Sequence, residues 1–65
     1  MDTANLQAFV AIADSGSFSQ AAERLFITQP AVSKRLRQLE QSLGGRLIDR
    51  QGKRIHLTQS GRALL

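Results

Sequence analysis

Apolar positions recur at helical spacing along most of the chain and switch to alternation near its end. In TANLQAFVAIAD, Leu6, Phe9, Val10 and Ala13 follow the spacing of one buried helix face. A helix is expected from about Thr3 to Asp14, ended by Ser15-Gly16. Ile12 falls off that face, so it is either exposed or covered by something else. Ser17 opens a second helix, and Ser17 with Gln20 matches the capping-box pattern that satisfies free N–H groups at a helix start. Phe18, Ala21, Ala22 and Leu25 form its buried stripe, the two alanines letting another helix cross closely. This helix ends near Leu25, and Phe26-Ile27 leaves room only for a tight turn.

The next stretch, TQPAVSKRLRQLE, starts a longer helix over about residues 28–43. Thr28 can cap it through its hydroxyl, and Pro30 stands in the first turn, where its missing N–H has no intrahelical acceptor to lose. At roughly 100° per residue, Val32, Leu36, Leu39 and Leu43 share the core face. Pro30, Ser33, Lys34, Arg37 and Gln41 share the opposite face, with Arg35 on a flank. Gly44-Gly45 closes the helix. Beyond the glycines the period changes. Leu47-Ile48 begins a strand, and Arg54-Ile55-His56-Leu57 alternates like its partner. Gly52 falls in the turn between them, where a positive φ is expected. Thr58 caps a last helix, TQSGRALL.

Two helices joined by a tight turn, the second cationic on its outer face, make a helix-turn-helix, and the hairpin makes it the winged version. The fold class expected is therefore mainly α, a winged helix-turn-helix with a three-helix core and a two-stranded β-hairpin wing.

Composition sharpens this picture. With 65 residues, 42% of them apolar, the chain has enough for one small core. It has no cysteine, which removes disulfides, thiolate zinc sites and a Cys nucleophile, and suits a reducing cytosol. Its longest apolar run, AFVAIA, is far too short to span a bilayer, so no membrane partner is expected. Charge is unevenly divided. Residues 1–33 hold Arg24 against Asp2, Asp14 and Glu23, whereas residues 34–65 hold eight cations against Glu40 and Asp49. A cationic half on a small domain points to a polyanion, and nucleic acid is the commonest one. A solvated basic face is the bland alternative.

The recognition surface expected on this reading centres on the start of the third helix, placed in the major groove. Gln29 can pair with an adenine edge, and Pro30 with Ala31 presents a low apolar surface to a thymine methyl. Ser33 can serve a base or a phosphate, Lys34 a guanine or a phosphate, and Arg37 the backbone. Thr28 and Pro30 also read simply as a cap and a helix starter. Ser17, primarily a cap, and Ser19 stand where free N–H groups of the second helix can receive a phosphate oxygen. The wing, residues 49–54, carries Arg50, Lys53 and Arg54, the last two suited to the adjacent minor groove. His56 is the single histidine and falls opposite Ile55 and Leu57 in the alternation. The acidic residues are scattered and no phosphate-cradling glycine loop precedes a lysine, so an enzyme is not expected, nor any metal or cofactor. A winged helix that docks on protein is the remaining rival.

SFSQAAERL, TQPAVSKRLRQLE, LG followed by LIDR, and LTQSG together resemble the N-terminal DNA-binding domain of LysR-type transcriptional regulators, over essentially the whole chain. The resemblance implies a bacterial, cytoplasmic, nucleoid-associated regulator that binds double-stranded promoter DNA as a dimer or tetramer. It implies residues 1–57 as the DNA-binding domain and 58–65 as the start of a linker helix that pairs with its counterpart and packs near the first helix, where it could cover Ile12. It also implies a small-molecule inducer sensed by a C-terminal domain outside this chain. Residues matching Gln29, Pro30, Ser33 and Lys34 meet DNA in the family, as does the wing around Lys53. Lys34 replaces a more common arginine, turning a bidentate guanine contact into a point charge. LIDR stands where LFER is more usual.

Overall fold

A computed structural model describes residues 2–51 and 54–65. Gly52 and Lys53, expected at the turn and tip of the wing, lie outside the described residues. The elements run α1 (Thr3–Ser15), α2 (Phe18–Leu25), α3 (Gln29–Leu43), β1 (Ile48–Gln51), β2 (Arg54–Leu57) and α4 (Gln59–Leu64). This is the expected mainly helical, winged helix-turn-helix order.

Every helix begins on a side-chain oxygen that accepts a backbone N–H. Asp2 takes Ala4, Ser17 takes Gln20, Thr28 takes Ala31 and Thr58 takes Gly61. Such caps contribute about 1 kcal/mol each, a large share for so small a domain. The capping box at α2 closes differently from the sequence pattern. Ser17 does accept from the Gln20 N–H, but its own N–H donates to the Ser15 hydroxyl at 3.3 Å rather than to Gln20.

Helix ends follow equally local rules. Gly16 and Gly44 close α1 and α3 in the left-handed region, at φ 74° and 77°. Phe26 closes α2 in the same conformation, φ 57°, the only positive φ at a non-glycine among the described residues. The following N–H, on Ile27, then reaches the Ala22 carbonyl at 3.1 Å, and Ile27 packs on the core. The side chain of Phe26 is left 95% exposed.

Phe9, Ile12, Ala21, Val32, Leu36, Leu39, Leu47 and Ile48 build the core. Here α1 corrects its expected face. Val10 is 43% exposed, while Ile12, expected off the face, is fully buried by the domain itself. The stripe that α1 buries is Asn5, Ala8, Phe9 and Ile12, with Ala11 beside it. That stripe also has helical spacing, but it begins with a polar residue. Because α1 packs against both α2 and α3, it buries a wider arc than one neighbour would demand. Leu43, expected in the core, is also 43% exposed, since it is the last residue of α3.

In the hairpin Ile48 pairs with Leu57, Asp49 with His56 and Arg50 with Ile55. Ile55 and Leu57 turn inward, whereas His56 is exposed, as the alternation predicts. Glu40, on α3, anchors the hairpin. Its carboxylate accepts the N–H groups of Leu47 (2.8 Å) and Ile48 (3.4 Å). From the other side, the Thr58 hydroxyl donates to the Arg46 carbonyl at 2.6 Å and its N–H to the Leu47 carbonyl at 3.0 Å. Gly61 is buried there because nothing larger fits: a Cβ would lie 2.2 Å from the Leu47 carbonyl oxygen. Among the described residues no helix is long and apolar enough to cross a membrane.

Candidate nucleic-acid interface

The start of α2, the outer face of α3 and the wing meet along two adjoining clefts that share Phe18 and Arg50 as their common wall. One cleft, about 300 Å³, is lined by Ser17, Ser19, Gln29, Arg50 and Arg54. Five residues singled out from three separate stretches of sequence are thus brought to one place. The other, about 360 Å³, runs between α3 and β1 and includes Ser33, Arg37, Arg46 and Arg50.

Local chemistry fixes several of these side chains. The Ser19 hydroxyl donates to Oε1 of Gln29 at 3.2 Å, tying the beginning of α2 to the beginning of α3. This orients the Gln29 amide and leaves its Nε2 hydrogens without a partner among the described residues. The guanidinium of Arg50 lies over the ring of Phe18, 3.9 Å from the centroid, within cation–π range. An arginine on a short strand would otherwise sweep a wide volume, and the buried ring restrains it.

Pro30, Lys34 and Arg37 are exposed on α3, and Ser33 between them is half-buried. Thr28 is exposed, but its oxygen is engaged by the Ala31 N–H at 3.3 Å, so its first role is the cap. Ala31 is half-buried and contributes little more than a low contour. Arg35 is half-buried on the flank, as its place on the helix predicts. Arg54 is exposed at the start of β2. Lys53 falls outside the described residues.

Two residues of this surface escaped the sequence reading. Phe18 read as a core residue, and nothing in its spacing signalled that its ring also carries Arg50. Arg46 entered only the count of cations in residues 34–65. Its Nη2 donates to the Ile48 carbonyl at 3.0 Å and its Nε lies 3.7 Å from the Glu40 carboxylate, which lays the side chain along β1 into the larger cleft.

Residues 3–62 match the family model for the bacterial regulatory helix-turn-helix protein, lysR family. The chain belongs to this LysR family. Over all 65 residues it is 62% identical to an uncharacterised HTH-type transcriptional regulator from the ibpB-leuC intergenic region of Azotobacter vinelandii, covering 45% of that relative. It is 48% identical over 59 residues to the HTH-type transcriptional activator CmpR of Synechocystis, covering 91% of this chain and 19% of CmpR. The chain therefore spans less than half the length of these relatives. Among solved structures, the complex of the CbnR DNA-binding domain with DNA superposes with a TM-score of 0.94 at 37% identity, covering the whole of this chain and 75% of that one. Family membership agrees with the resemblance carried by SFSQAAERL and TQPAVSKRLRQLE.

Proposed function

We propose that this LysR-family chain is the duplex-reading head of a transcriptional regulator, with the first half of α3 seated in the major groove and the wing on the flanking backbone and minor groove. The major groove admits an α-helix, and the residues near the helix start reach base edges. Gln29 and Lys34 act as base readers, Pro30 and Ala31 form the apolar contact, and Ser33 serves a base or a phosphate. Ser17, Ser19, Thr28, Arg37, Arg50, Lys53 and Arg54 hold the sugar–phosphate backbone or enter the minor groove. The observation that carries this reading is the single cleft in which the starts of α2 and α3 and the wing place Ser17, Ser19, Gln29, Arg50 and Arg54 together. Ser17 caps α2 and Ser19 ties it to Gln29, but neither role calls for two arginines around the same solvent-facing groove.

The whole protein, on this reading, binds promoter DNA as a homodimer or tetramer in the bacterial cytoplasm and answers a small-molecule inducer through a separate domain. Residues 1–57 are the head, and 58–65 begin the helix that pairs subunits.

Selection of bound fragments from randomised duplex DNA, repeated at two salt concentrations, tests the proposal. One enriched half-site is expected, with affinity falling on a log–log salt slope of about −0.9 per phosphate contact. No enrichment together with a slope near zero would replace DNA by a protein partner.

A further inference from the structure

We infer that the cleft between α3 and β1 is a phosphate seat, and that Arg46 is the residue that completes it. This rests on the duplex-binding reading above and extends it to a residue outside the helix-turn-helix and the wing tip. Arg37 from α3 and Arg46 and Arg50 from the β1 side line this one groove, against a single acidic neighbour, Glu40. Phe18, Leu36 and Ile48, all buried, form the apolar floor beneath them, where a phosphate oxygen meets guanidinium groups across less water.

Glu40 lines the groove too and would repel an anion if its charge were left free. Its side chain is only 15% exposed, and its Oε2 accepts the Leu47 and Ile48 N–H groups and lies 3.7 Å from the Arg46 Nε, which offsets that charge. It serves instead to aim Arg46. A guanidinium carries five N–H donors in a fixed fork. With Nε beside Glu40 and one Nη2 hydrogen on the Ile48 carbonyl, the Nη1 hydrogens and the second Nη2 hydrogen have no partner among the described residues and remain for a ligand. The bond to the Ile48 carbonyl, with Glu40 beside Nε, restrains a side chain that is otherwise 68% exposed, and so lessens the freedom it gives up on binding. Arg50, stacked on Phe18, is restrained in the same way. The groove therefore presents pre-aimed planar donors, the geometry that recognises a phosphodiester.

The test measures salt dependence of binding to a mixed-sequence duplex by fluorescence anisotropy, for the 65-residue chain and its Arg46→Ala, Arg46→Lys and Arg24→Ala variants. Arg24 is the charge-matched control, since it pairs with Asp14 and lines neither cleft. Arg46→Ala should weaken binding and flatten the log–log slope by about 0.9. Arg46→Lys should keep the slope at reduced affinity, because the charge stays and the fork is lost. Arg24→Ala should leave the slope as it was. An Arg46→Ala slope parallel to the parent overturns the seat, as does equal flattening in Arg24→Ala, which would report net charge alone. A parent slope near zero overturns the duplex reading beneath it. Thermal melting separates misfolding, and if Arg46→Ala melts early the Arg46→Lys comparison decides, an affinity equal to the parent's then counting against the seat.

Discussion

Arg50 rests on Phe18, its guanidinium carbon 3.9 Å from the ring centroid, so a core residue also sets the aim of a surface cation. Phe18→Leu keeps the site apolar but removes the π face. Stability should fall by about 1–2 kcal/mol, because leucine is smaller than the ring and leaves part of the buried site unfilled. Duplex affinity should fall several-fold, while the salt slope stays as in the parent because no charge is lost. Urea unfolding and anisotropy titration together check both halves. An unchanged affinity would mean that Arg50 needs no support from the ring.

Gln29 is the residue on which base choice should depend most. Gln29→Ala is expected to cost about 1–3 kcal/mol on the selected site and to relax preference at one base position. Ser19→Ala, which frees the Gln29 amide from its 3.2 Å bond and removes one backbone contact, should relax the same position by less while lowering affinity for all sequences. Competition binding against single-base variants of the selected site measures both effects.

At Gly61 the constraint is steric. A Cβ there would sit 2.2 Å from the Leu47 carbonyl oxygen, and backbone cannot swing aside as a side-chain tip can. Gly61→Ala should therefore destabilise the domain by about 1–3 kcal/mol, even though alanine favours helix formation. The exposed neighbouring change Ser60→Ala should do almost nothing. The difference between their urea midpoints is the measurement.

Phe26 supports the opposite expectation. Its left-handed backbone costs a side chain roughly 1 kcal/mol, and at 95% exposure its ring has little packing to lose. Phe26→Asn, a residue that accepts this conformation readily, should raise stability by about 0.5–1 kcal/mol. A lower melting temperature would show that the ring packs in solution.

Much of this molecule could be read from its residues because its instructions are local. Ser17, Thr28 and Thr58 start helices where hydroxyls precede apolar periods, and Gly44 ends one where a left-handed turn is needed. The outward row from Pro30 to Arg37 followed from helical geometry alone. The first helix was less transparent. AFVAIA is apolar on every side, so two stripes matched the period, and the polar Asn5 disguised the one that α2 and α3 bury together. Arg46 and Phe18 were hidden for another reason. Their roles depend on which strand crosses which helix, and no spacing along one segment encodes a contact between two. The glycine in LTQSG read as part of a motif, yet its necessity arises from a carbonyl fourteen residues earlier in the chain.

The short helix α4 is fastened to the rest of the chain at its first turn. Thr58 is bonded to Arg46 and Leu47, Gly61 abuts the Leu47 carbonyl, and the Leu47 amide is held by Glu40 of α3. Any tilt of α4 against its neighbours must therefore strain these bonds, which meet at the same Arg46–Leu47 segment that Glu40 of α3 holds.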